Sequence, residues 1–308
     1  VRGIKGFWKS FFSRYHRTMG IRMTQPSYRI LRPTTLASSV IFASPHSGRD
    51  YSRDFLRTTV LNAHSIRSSE DAFVDDLFAA APKLGAPLLL ADVPRAYVDL
   101  NRAAEEWDPA LIDGHRATIQ NPRIASGLGV IPRVVANGRA IYRGKLTAFE
   151  VQRRLDAHWH PYHRAVQSLL DEAHAACGEA ILIDCHSMPH EAVDGVARAG
   201  LRRPDVVLGD RFGASAGADV MERIESALTR AGLTVSRNAP FAGAYTAQHY
   251  GRPSRRQHVV QIEIDRSLYM NELEIRPNAH FETFRHLLTD VIADMIRMGA
   301  RPKRHAAE

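Results

Sequence analysis

The sequence predicts a single α/β domain with a mixed, mostly parallel central sheet flanked by helices. Three observations carry that prediction. Short runs of β-branched and large apolar residues alternate with longer segments of helical period. Several of these runs are almost continuously apolar, as strands covered on both faces are. The charge distribution then bounds the domain. Of the 41 Lys and Arg residues, eight lie within residues 1–32, which contain no Asp or Glu; the remaining 33 balance the 33 acidic residues. The net charge of +8 therefore belongs to a leader rather than to the body, and it does not predict a nucleic-acid surface.

In chain order, the leader "VRGIKGFWKSFFSRYHRTMG" mixes Phe7, Trp8, Phe11 and Phe12 with basic residues at roughly helical spacing. It reads either as a segment able to lie on an anionic membrane surface or as an extension ahead of a start at Met19 or Met23. It lacks the small-residue cleavage site of a secretory signal. The domain is expected over 33–300, with a basic tail at 301–308. "SSVIFAS", "APLLLADV", "EAILIDC", "LTVSR" and "HVVQIEI" read as strands. "EDAFVDDLFAAAPKLG" reads as a helix with Phe73, Leu77 and Phe78 on one face and Gly85 as its stop. "TAFEVQRRLDAHW" and "PYHRAVQSLLDEAHAACG" read as two helical stretches, with Pro161 suited to the first turn of the second. A helix closed by Gly232 and a last one over 280–298 follow, and residues 103–146 form a Gly/Pro-punctuated excursion. Cys177 and Cys185 are spaced for neither a disulfide framework nor a zinc ribbon, which fits a reducing, cytoplasmic setting. No apolar run approaches the roughly 18 residues that span a bilayer, so no stable membrane insertion is expected.

The chemistry is expected where strands end. "VIFASPHSGRDY" turns through Pro45 and Gly48 with His46 between them, and "EAILIDCHSMPH" runs into Asp184, His186 and Ser187. Ligands in open α/β sheets bind outside the carboxyl ends of strands, so two distant histidines can converge there. Histidines with nearby carboxylates suit zinc, although a single strand-end histidine is more often a turn residue. "PRAYVDLNRAAEEW" crowds Arg95, Asp99, Asn101 and Arg102 together, which fits carboxylate recognition or a loop bridged by its own ion pairs. "QHVVQIEIDRSLYM" places Glu263 within an apolar strand, and alternation puts Gln261, Glu263 and Asp265 on one face. A buried carboxylate is costly unless paired or functional. Cys185, next to His186, points to the opposite face and is discounted as a nucleophile. His160 and His163 of "HWHPYH", three apart, read as stacked helix positions before they read as a metal pair.

"SPHSGRDY", "EDAFVDDLF", "PRAYVDLNR", "IDCHSMP", "GDRFG" and "QIEIDRSLYM" together resemble the N-formylglutamate amidohydrolase family, from about residue 40 to 275. That family is similar in fold to the zinc carboxypeptidases and aspartoacylases. The resemblance implies a mononuclear zinc hydrolase that releases formate from an N-formyl amino acid, the last step of one route of histidine breakdown. It implies His46 and His186 as ligands. The carboxypeptidase relatives place a glutamate ligand three residues after the first histidine, where this chain has Arg49. From the position of "SSEDAFVD" among the family's motifs, the resemblance implies Asp71 as the third ligand, with Glu70 as the alternative. Glu263 is expected to shuttle the proton and Arg95 to polarise the scissile carbonyl, while Asn101 and Arg102 grip a substrate carboxylate. A dicarboxylate needs a second cation, for which Arg252, or its neighbours Arg255 and Arg256, is a candidate. Tyr245 is a candidate to close over the substrate, or else a packing residue. The rival readings are a related N-acyl amino acid deacylase or carboxypeptidase-like enzyme, and a metal-free binding protein docked through its leader.

Overall fold

Seven strands hydrogen-bond in the order β1-β3-β2-β4-β7-β5-β6 in the computed structural model of the chain, which describes residues 27–116, 121–196 and 202–300. They are β1 (Tyr28–Leu31), β2 (Val40–Ser44), β3 (Leu88–Ala91), β4 (Ala180–Met188), β5 (Val206–Gly209), β6 (Val235–Arg237) and β7 (Gln257–Asp265). Strands β3, β2, β4 and β7 run parallel, β1 is an antiparallel edge, and β5 pairs antiparallel with β7 and parallel with β6. The sheet is thus mixed and mostly parallel. All five expected strands are present; β1 and β5 are additions. Residues 1–26 of the expected leader, the tail at 301–308 and the choice between Met19 and Met23 lie outside the described residues. Residues 28–31, counted with the leader in the sequence, are instead edge strand β1, with Arg29 paired to Asp92 and Arg32 to Glu172, so the folded body starts before residue 33.

The two faces of the sheet are packed by different helices. Val40, Phe42, Leu88, Ile181, Ile183, Val260 and Ile262 lie under the helices Ala218–Arg230 and Phe281–Met298. Ile41, Ala43, Leu89, Leu182 and Val259 lie under His160–Cys177 and Tyr245–Tyr250. No helix among the described residues is long and apolar enough to cross a membrane.

Two expected elements differ. The helix over 70–85 reduces to Val74–Leu77, because Phe73 takes a left-handed φ of 67° and turns follow Leu77. The two stretches around Pro161 form one continuous helical segment, from Ala148–Arg154 through a π-helical turn at Leu155–Trp159 into His160–Cys177. Pro161 has no N–H for the Ala157 carbonyl, and Ser27 supplies the missing donor at 3.3 Å. His163 is a core residue: Nδ1 meets the Tyr250 hydroxyl at 2.9 Å and Nε2 the Leu100 carbonyl at 3.0 Å, so it forms no metal pair with His160. Burial pulls its pKa down to about 3.

Candidate active site

The turn after β2 positions His46. The strand ends at Ser44, the chain bends at Pro45, and His46 is carried into the interior at 2 % exposure. The Ser44 hydroxyl donates to Ser47 at 2.8 Å and closes the turn. Gly48 is required because a Cβ there would stand 2.1 Å from the Val93 carbonyl oxygen.

His186 lies within a strand rather than beyond its end, since β4 continues to Met188. In the β4–β7 register, Asp184 faces Gln261 and His186 faces Glu263. Partners in register project to the same side of the sheet, so these four polar side chains share the carboxyl half of one face. Cys185 is packed into the opposite, apolar face. Asp71 arrives from the irregular segment before Val74–Leu77, and its N–H donates to the His46 carbonyl at 3.0 Å.

One oxygen, Oδ2 of Asp71, lies 2.9 Å from His186 Nδ1 and 3.4 Å from His46 Nδ1. The outer nitrogen of each ring meets its own carboxylate: His46 Nε2 lies 2.7 Å from Asp99 and His186 Nε2 lies 3.1 Å from Asp184. A carboxylate on the outer nitrogen fixes that nitrogen as the N–H donor and turns the inner lone pair towards a metal. His46 Nδ1 is buried without a hydrogen-bond partner, a state that is costly unless a ligand meets it. One donor atom from each of His46, Asp71 and His186 lies within 4.8 Å of the others. Two imidazoles and a carboxylate are a donor set of catalytic metal sites, so these residues fit a divalent ion.

The charges are tightly compensated. Burial alone would raise Asp71, but the adjoining imidazoles of His186 and His46 hold it well below the usual carboxylate range. Burial opposes charge on His186 as well, yet Asp184 and Asp71 keep its pKa well above the ordinary value. Glu263 is different: burial pushes its carboxyl up to about 7, while Gln261 donates to it at 2.8 Å. Arg95 reaches Asp99 at 3.1 Å and lies 4.0 Å from Asp71. The Arg95–Asp99 ion pair weighed at the sequence level is real, but Asp99 also holds His46.

The other candidates separate clearly. Glu70 is turned away and held by Arg67 at 2.9 Å and Tyr51 at 3.1 Å, so it is no alternative to Asp71. Arg49 pairs with Asp75 at 2.6 Å. Asn101 is engaged on both sides of its amide: Nδ2 donates to Asp184 at 3.1 Å and lies 3.1 Å from His186 Nε2, and Oδ1 accepts from the Thr246 N–H and hydroxyl. Arg102 uses Nε on the Leu128 carbonyl and Nη1 on that of Asn101. Tyr245 sits half-buried at the rim, stacked on His249 at 4.9 Å and packed against Trp159, with burial raising its phenol to about 12. Arg252 is at the wrong end of the sheet. Its N–H meets the Gln257 carbonyl at the start of β7, six residues and about 20 Å of extended chain from Glu263. Arg256, beside Glu179 at the start of β4, lies at the same end.

Several supporting residues carried little sequence signal. The period-2 pattern of β4 places Asp184 beside His186 and gives it a role; nothing in the sequence marks Asp99 as the partner of His46, or Arg266 as the partner of Asp71.

Comparison with known proteins shows the family. The N-formylglutamate amidohydrolase family pattern matches residues 38–270. An N-formylglutamate deformylase of Pseudomonas aeruginosa is 30% identical over 241 residues, covering 76% of this chain and 82% of the relative. A deformylase of Pseudomonas putida is 29% identical over 242 residues, covering 76% and 83%. The crystal structure of N-formylglutamate amidohydrolase from Ralstonia eutropha JMP134 superposes with a TM-score of 0.82 at 34% identity, over 89% of this chain and 99% of that one. A protein of Agrobacterium tumefaciens shares the fold at a TM-score of 0.60 and 17% identity, over 89% and 96% of the two chains. With its sheet, its buried His–Asp–His group and these relatives, the chain belongs to the N-formylglutamate amidohydrolase family, hydrolases of an amide C–N bond.

Proposed function

We propose that this chain hydrolyses the formyl amide of N-formyl-L-glutamate to formate and L-glutamate, using one zinc ion held by His46, Asp71 and His186. The observation that carries the reading is the convergence of those three donors on the face that also presents Glu263. Zinc in such a site supplies Lewis-acid polarisation of a carbonyl oxygen and acidifies water. Glu263, poised near neutrality, accepts a proton as water adds to the formyl carbon. It returns that proton to the departing nitrogen as the C–N bond breaks. Arg95 donates to the oxyanion that develops on the formyl oxygen. Asp99 and Asp184 keep the two rings oriented, and Asn101 steadies Asp184. Arg102, whose Nη2 has no hydrogen bond among the described residues, is the anchor for a substrate carboxylate. The reading puts the reaction in the cytoplasm, which the free cysteines support, and in histidine breakdown, which the family resemblance supports.

Metal analysis and a substrate panel test it. Purified protein is expected to carry about one zinc per chain; none after reconstitution would end the zinc reading. Among N-formyl and N-acetyl amino acids, N-formylglutamate is expected to release amine fastest. A faster N-acetyl substrate would move the chain to the related deacylases.

A further inference from the structure

Behind Asp71 lies a buried arginine that the chemistry above does not use. Arg266 follows β7 in the short 3-10 turn Arg266–Leu268 and is 7 % exposed. Its Nη2 donates at 3.0 Å to Asp71 Oδ1 and at 3.0 Å to the Glu70 carbonyl, and its Nε donates at 3.2 Å to the Ser187 hydroxyl. The two oxygens of Asp71 therefore face different partners. Oδ2 faces both imidazoles, and Oδ1 faces the guanidinium.

We propose that Arg266 is a positioning residue that makes Asp71 a one-oxygen metal ligand, an inference that rests on the metal reading above. A carboxylate can bind a metal through one oxygen or two. Two histidines and a two-oxygen aspartate already fill four positions, so water or substrate can then join only by expansion to a five-coordinate ion. The charge-assisted bond from Arg266 competes for Oδ1. Because the planar fork is also held by Ser187 and the Glu70 carbonyl, it cannot follow the carboxylate if that group rotates. The backbone of the segment is fixed separately: the Asp71 N–H bonds the His46 carbonyl, and the Tyr269 hydroxyl donates to the Ala72 carbonyl at 3.1 Å. Arg266 thus governs how the side chain is offered, not where the loop lies.

Arg266→Lys keeps the charge and loses the fork. With folding checked by circular dichroism, zinc affinity from competition with a chromophoric chelator is expected to fall about 10–100-fold. Cobalt(II) in place of zinc is expected to move from the intense visible absorption of a four-coordinate site towards the weaker bands of a five-coordinate one. A folded variant with wild-type affinity would overturn the proposal. So would a loss of affinity with an unchanged cobalt spectrum, since a merely structural arginine would give that result. If the lysine variant does not fold, Ser187→Ala removes only the Nε acceptor and is read by the same two measurements: a weaker site with an altered spectrum supports the role, and no alteration of the spectrum overturns it. Wild-type protein that takes up neither metal would instead defeat the metal reading itself.

Discussion

The two faces of β4 do different work along the same nine residues. One face carries Ile181, Ile183 and Cys185 into the core shared with Val260, Ile262 and Ile264. The other begins with Ala180 and Leu182 in the second core and then turns polar at Asp184 and His186, beside Gln261 and Glu263. The apolar face contributes stability roughly in proportion to the area it removes from water. The polar half costs stability unless every charge finds a partner. The partners are present for Asp71, Asp99 and Asp184, yet His46 Nδ1 and Asp184 Oδ1 stay buried without one. Stability is drawn from one face, and the other can therefore carry imperfectly satisfied groups where a reaction needs them.

That division can be broken by substitution. The largest effect is expected for Glu263→Gln, which keeps shape and removes the proton carrier: kcat should fall about 10²–10⁴-fold, while zinc content and the melting temperature stay at wild-type values. Near-normal turnover would remove Glu263 from the chemistry. On the opposite face, Ile183→Ala should cost about 2–5 kcal/mol in denaturant unfolding and leave the kcat of the folded protein unchanged; a collapse of kcat would mean that the faces are not separable. The smallest effect is expected for Arg252→Ala, at the amino end of the sheet. KM and kcat should not move, and stability should shift by no more than about 1 kcal/mol; a large rise in KM would return Arg252 to the substrate pocket.

Much of the frame was legible because strand patterning is local. The alternation in "QIEID" put Gln261, Glu263 and Asp265 together, and the same rule sent Cys185 away from His186. The failures have a common physical origin in tertiary demands that override local preference. Residues 70–85 have helical periodicity, but Asp71 must leave any helix to bond the His46 carbonyl, and Phe73 turns left-handed to let it do so. The sequence offers Asn101 as a substrate contact, but only the tertiary fold shows its amide bonded to Asp184 and Thr246, 83 and 145 residues away. Arg252 carries the right charge, but only the β4–β7 register reveals which end of the sheet it occupies. Edge strand β1 has four residues with alternating partial exposure, too short a run to stand out before its pairing is known.

The long chain separations within the centre also bear on the order of assembly. The contact between His186 and Asp71 spans 115 residues, and that between Asn101 and Thr246 spans 145. Closing loops of that size is entropically costly and comes late in folding. The segment through β3 already contains His46 and Asp71, but the second ring is delivered only when β4 slots between β2 and β7. A chain emerging from the ribosome therefore holds only two of the three proposed donors until β4 has been made. On the proposed metal reading, binding through all three donors would follow the completion of the topology rather than begin it.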